Sequence, residues 1–69
     1  MTRVQRLIVK KMADGYSQSE VSEYLKHRGI VPNSLSTVEK ELMKLKKEFR
    51  ALSLVHLFVI LMRKGHLKV

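Results

Sequence analysis

Ser36-Thr37-Val38-Glu39-Lys40-Glu41-Leu42-Met43-Lys44-Leu45-Lys46-Lys47-Glu48-Phe49-Arg50 is the stretch that decides the fold of this chain. Placed on a helix at about 100° per residue, Leu35, Val38, Leu42, Leu45 and Phe49 fall within roughly 80° of one another. Ser36, Lys40, Met43, Lys44 and Lys47 cluster on the opposite side. One face can therefore bury in a small core while the other turns hydroxyls, a thioether and lysines outward. Such a division suits a helix laid in the DNA major groove, where cations meet phosphates and shorter side chains meet base edges. It suits an ordinary solvated amphipathic helix equally well, with pairs such as Glu41 and Lys44 on its surface. The residues on either side have to decide.

Upstream, Thr2 is placed to cap a first helix, and Gln5 three residues later completes a capping box. Val4, Ile8 and Met12 recur at helical spacing with Val9 beside them, so this helix runs to about Ala13. Asp14-Gly15 ends it, the Gly supplying the left-handed residue beyond the last turn. Ser17 caps a second helix, again with Glu20 at the third position, and Val21, Tyr24 and Leu25 form its apolar face. His27-Arg28-Gly29 puts basic groups and a Gly at its end. In Ile30-Val31-Pro32-Asn33, Pro32 disfavours helix at Val31 and Asn33 favours a turn. Ser34 or Ser36 starts the third helix, which reaches Phe49 or Arg50. Ser53 opens a fourth segment, Leu54 to Lys64, closed by Gly65. Its Leu54, Val55, Leu57, Phe58, Val59, Ile60, Leu61 and Met62 go almost all the way round. A helix of that kind is either central to a core or shared with a second molecule. With no strand alternation and no internal repeat, the fold class is all-α, four helices with a helix–turn–helix in the middle.

Length and composition narrow the field. With 69 residues there is room for one domain, residues 1–69, and one small core. A hydrophobic fraction of 45% is enough to pack helices and too high for a disordered tail. Cys is absent, so neither disulfides nor thiolate metal sites can staple the fold. Lys and Arg number 14 against 6 Asp and Glu, for a net charge of +8. Self-repulsion at this density suits a polyanionic partner, because released counterions supply much of the affinity. Met1-Thr2-Arg3 leads directly into an amphipathic segment and not into the apolar run of a signal peptide. The longest apolar stretch, Leu57 to Met62, is far too short to span a bilayer. A cytoplasmic protein is the expectation.

The order of these signals resembles the DNA-binding domain of the LuxR family, the GerE-type helix–turn–helix found in many bacterial response regulators. Ala13-Asp14-Gly15-Tyr16-Ser17-Gln18-Ser19-Glu20-Val21-Ser22-Glu23-Tyr24-Leu25 looks like that family's first-helix end, Gly turn and scaffold helix. Ser36-Thr37-Val38 looks like the start of its recognition helix, and Leu45 and Phe49 match two later apolar positions. Leu61-Met62-Arg63-Lys64-Gly65-His66-Leu67 is similar to the close of its fourth helix. Three departures stand out. From Glu20 to Val38 the chain is several residues longer than the usual family spacing, so the turn between scaffold and recognition helices is expected to be lengthened. Glu39 stands where the family often has a base-contacting Lys, and Gln5 and Leu7 replace acidic positions of the first helix.

The resemblance implies a LuxR-like regulator of transcription that binds double-stranded DNA sequence-specifically, with the third helix in the major groove. Ser36, Thr37, Lys40, Met43, Lys44 and Lys47 are the expected contacts: Lys40 and Met43 near bases, Lys44 and Lys47 near bases or phosphates, Thr37 on the backbone. Gln18 and Ser19, at the start of the scaffold helix, can hold a phosphate or simply assist the cap. A homodimer through the fourth helix is expected, its interface around His56, Val59, Ile60 and Arg63. A receiver or ligand-sensing domain controlling the DNA-binding domain, common in the family, would lie outside these residues. Lys10 and Lys11 read as solvated lysines, and Tyr16 and Tyr24 as core or staple residues.

Other chemistries find less support. His27, His56 and His66 show no metal-ligand spacing, no Gly-rich phosphate loop occurs, and the chain has hardly enough core to wall a pocket. Neither an enzyme nor a cofactor or metal site is expected. Phe49 and Phe58 are not arranged as stacking platforms for single-stranded nucleic acid. Two rivals remain: a protein-interaction module that docks through the apolar fourth helix, and a basic amphipathic protein on anionic membranes.

Overall fold

The structure, a computed structural model, describes residues 1–68. Four helices follow one another along the chain: α1 (Arg3–Ala13), α2 (Gln18–His27), α3 (Leu35–Glu48) and α4 (Leu54–Arg63). Among the described residues there is no strand. The fold class expected from the sequence, all-α with four helices, is the one observed.

Each helix starts where a hydroxyl can take over an orphaned backbone N–H. Thr2 Oγ1 accepts from the Gln5 N–H at 3.1 Å while Gln5 Oε1 accepts from the Thr2 N–H at 2.9 Å. Ser17 and Glu20 reproduce this reciprocal box at the head of α2. The Ser17 N–H and hydroxyl donated to Glu20 hold its carboxyl below the usual value. Of the two serines that could open α3, Ser34 is the cap, its Oγ accepting from the Thr37 N–H at 3.1 Å. Ser53 caps α4 through the His56 N–H at 3.0 Å, and His56 Nδ1 accepts from the Leu52 N–H at 2.9 Å. The expected boundaries hold to within a residue or two, Phe49 serving as the C-cap of α3 and Lys64 as that of α4.

All four helices contribute to one core: Ile8 and Val9 from α1, Val21 and Leu25 from α2, Val38, Leu42 and Leu45 from α3, Leu57 and Leu61 from α4. Each buried Leu or Ile contributes roughly 1.5–3 kcal/mol of transfer free energy. α3 packs on the other three helices, whereas α4 packs chiefly on α3. Two polar links fix α3 against its neighbours. Gln5, buried on α1, donates from Nε2 to Glu41 Oε1 at 2.9 Å. Ser22, buried on α2, donates to the Asn33 carbonyl at 2.6 Å, and Asn33 Nδ2 donates to the Ile30 carbonyl at 2.9 Å. The segment between α2 and α3 is thus pinned at both ends, and the outward face of α3 inherits a defined direction.

Candidate nucleic-acid interface

With Val38, Leu42 and Leu45 buried, the helical period sends Ser36, Lys40, Met43, Lys44 and Lys47 to solvent. Met43 is 58% exposed, an apolar side chain beside Lys46, Lys47 and Arg50. Lys44 Nζ lies 3.2 Å from Glu41 Oε2, the carboxylate that also receives Gln5. Neither Lys40 nor Lys47 has a carboxylate within 4 Å among the described residues. Thr37 is half-buried, and its hydroxyl meets the Ser34 Oγ at 3.0 Å inside the cap.

The two residues proposed from the start of α2 diverge. Gln18 lines a shallow cleft with Glu39, Met43 and Lys46, so α2 delivers its first residue to the flank of α3. Ser19 lines a different cleft with Tyr16, Glu20, Glu23, Tyr24 and His27, where two carboxylates stand beside it. Of these carboxylates, Glu23 pairs with Lys26 at 3.5 Å and Glu20 accepts from the Ser17 N–H at 2.9 Å. Glu39 is exposed on the flank next to Lys46, and Lys46 belongs to the same surface although the sequence reading did not include it. At the far end of α3, Met43, Lys46, Lys47, Arg50, Ala51 and Leu52 line one further cleft. Arg50 was missed as well. It is exposed and carries a left-handed backbone, φ +54°.

Lys11, read from the sequence as solvated, is half-buried, its Nζ 4.5 Å from the Tyr24 ring centroid and 5.2 Å from that of Tyr16. Arg28 stands over Tyr24 too, its Nη1 donating to the phenol oxygen at 3.0 Å. Tyr16 meets Tyr24 edge-on at 6.4 Å. These two cations are held in a cation–π cluster between the ends of α1 and α2, an engagement that Lys40 and Lys47 do not share among the described residues.

Of the residues expected at a dimer contact, His56 is half-buried and engaged in the α4 cap, Val59 and Ile60 are half-buried, and Arg63 is exposed. The open apolar surface of α4 runs along Val55, Phe58, Val59 and Met62 and forms a groove with Met12, Ala13 and Leu67. Val55 is 76% and Met62 42% exposed. Only Val59 is common to the expected stripe and this groove.

No helix is long and apolar enough to cross a membrane among the described residues. No protein-family model, no curated protein and no solved structure matches the chain.

Proposed function

We propose that this protein binds double-stranded DNA as a LuxR-like transcriptional regulator, laying α3 in the major groove. The observation that carries this reading is the outward face of α3, where Lys40 and Lys47 have no carboxylate within 4 Å among the described residues and share the face with the exposed Met43 and Ser36. Unpaired cations beside small polar and apolar side chains are what a helix needs to meet phosphates and base edges together. The net charge of +8 supports the same partner, since it raises the association rate with a polyanion. Gln18, which shares a cleft with Met43 and Lys46, would assist from the scaffold helix. Lys44, itself exposed, joins once it leaves the half-buried Glu41, which keeps its bond from Gln5.

A second copy of the chain is the natural occupant of the α4 surface in this reading, and DNA would offset the repulsion between two basic domains. Two copies would then read half-sites about one helical turn apart. Selection of bound duplexes from a random library tests both points. Enrichment of a two-fold motif supports the dimeric regulator, and an asymmetric motif supports a monomeric reader. Recovery of random sequences at the input frequency would reject sequence-specific binding.

A further inference from the structure

All four helices close with the same pair of backbone hydrogen bonds. In α1 the Tyr16 N–H reaches the Lys11 carbonyl and Gly15 reaches Met12; in α2 Ile30 reaches Leu25 and Gly29 reaches Lys26. In α4 His66 reaches Leu61 and Gly65 reaches Met62, and in α3 Ala51 reaches Lys46 and Arg50 reaches Lys47. This Schellman closure demands a left-handed residue just past the C-cap, for which Gly alone is free of a Cβ penalty. Gly15, Gly29 and Gly65 fill that position at φ +104°, +69° and +78°. The end of α3 puts Arg50 there at φ +54°.

Nothing inside the domain explains a side chain at that strained position. Arg50 is exposed, and among the described residues no carboxylate lies within 4 Å of it. The negative end of the helix dipole is already answered by Lys46 and Lys47 in the last turn. Lys10 and Lys11 do this for α1 and Arg63 for α4, and both of those helices then use Gly. What distinguishes Arg50 is its position, in one cleft with Lys46, Lys47 and Leu52 at the end of the outward face of α3.

We infer that Arg50 is a DNA-binding residue, forming with Lys46 and Lys47 a site for a backbone phosphate of the duplex. This inference rests on the reading of α3 as the groove helix. The 14 residues of α3 span about 21 Å at 1.5 Å per residue, while the major groove is about 12 Å wide. A helix that long carries one of its ends over a flanking strand. The guanidinium supplies planar paired donors that match a phosphodiester. Such a contact fixes position and adds affinity without reading sequence.

Arg50→Gly and Arg50→Lys, measured beside the parent by thermal unfolding and by duplex titration over a range of salt, test the site. Arg50→Gly is expected to melt higher, by about 4–8 °C if the strain relieved is near 1 kcal/mol. Its affinity falls for every duplex alike, and its salt dependence becomes shallower by about one unit. Arg50→Lys keeps both the charge and the strained backbone, and therefore the parent's melting temperature and salt slope. An Arg50→Gly protein that melts at or below the parent would make Arg50 a helix-stabilising residue and overturn the inference. A parent slope retained in Arg50→Gly, or a slope in Arg50→Lys as shallow as that of Arg50→Gly, would overturn it too. A parent that binds no duplex rejects the groove reading itself, an outcome distinct from a variant that binds as the parent does.

Discussion

Lys44 has to leave Glu41, 3.2 Å away, before it can meet a phosphate, and Lys40 does not. Both point away from the buried stripe of Val38, Leu42 and Leu45, so truncating either removes a cation without opening the core. Lys40→Ala and Lys44→Ala are each expected to weaken duplex binding while circular dichroism stays that of the parent. A lost base contact removes roughly 1–3 kcal/mol and relaxes preference at one position, whereas a lost phosphate contact weakens all sequences alike. Unfolding of both variants would contradict the assignment of faces. At this scale the outward face was legible, because a helical period fixes which residues share a side. Lys11 was not: its Tyr16 and Tyr24 partners come from beyond a turn, and no local pattern brings them together. Arg50 was legible in principle. Phe49-Arg50 occupies the place held elsewhere by Asp14-Gly15, Arg28-Gly29 and Lys64-Gly65, and the comparison needs nothing beyond the sequence.

The helices owe their starts to caps, and the cap of α2 carries a titratable group. The carboxyl of Glu20 lies below its ordinary value because the Ser17 N–H, and then the Ser17 hydroxyl, donate to its charged form. A carboxyl lowered in the folded state stabilises the fold fully above its unfolded value. That contribution fades as pH falls through the unfolded value to the folded one. Thermal unfolding from neutral pH down into the acid range is thus expected to show a loss of stability for the parent that is smaller in Glu20→Gln. Identical acid limbs would mean that the Ser17–Glu20 box contributes nothing. Hydroxyl-plus-Gln/Glu spacing revealed two of the starts, the Thr2–Gln5 and Ser17–Glu20 boxes, and a lone hydroxyl marked Ser53, but for α3 the hydroxyls admitted both Ser34 and Ser36. Ser34 prevails where Ser22 and Asn33 pin the preceding segment, and that link joins residues 11 apart. The bond from Gln5 to Glu41, 36 residues apart, is likewise invisible to local spacing. The acceptance of the Leu52 N–H by His56 Nδ1 at the start of α4 is a further contact that the sequence pattern did not show.

Over the whole molecule, the acids are confined to the first 48 residues. The acids are Asp14, Glu20, Glu23, Glu39, Glu41 and Glu48, so nothing from Phe49 to Lys68 offsets Arg50, Arg63, Lys64 and Lys68. That the fourth helix is more apolar than so small a domain can enclose was legible from composition alone. Which side stays open was not, because it depends on where α3 and the end of α1 lie. The expected stripe centred on His56 and Arg63, whereas the open groove centres on Val55 and Met62, about a quarter of a turn away at 100° per residue. Binding of duplex DNA by the basic face of α3 is the central claim, and a titration of affinity against salt concentration tests it most directly. Each phosphate neutralised contributes about 0.9 to the slope of log affinity against log salt. Engagement of duplex by Lys40, Lys47 and Arg50 predicts a linear fall with a slope of about −3 or steeper. Binding that ignores salt, or no binding at low salt, would contradict it.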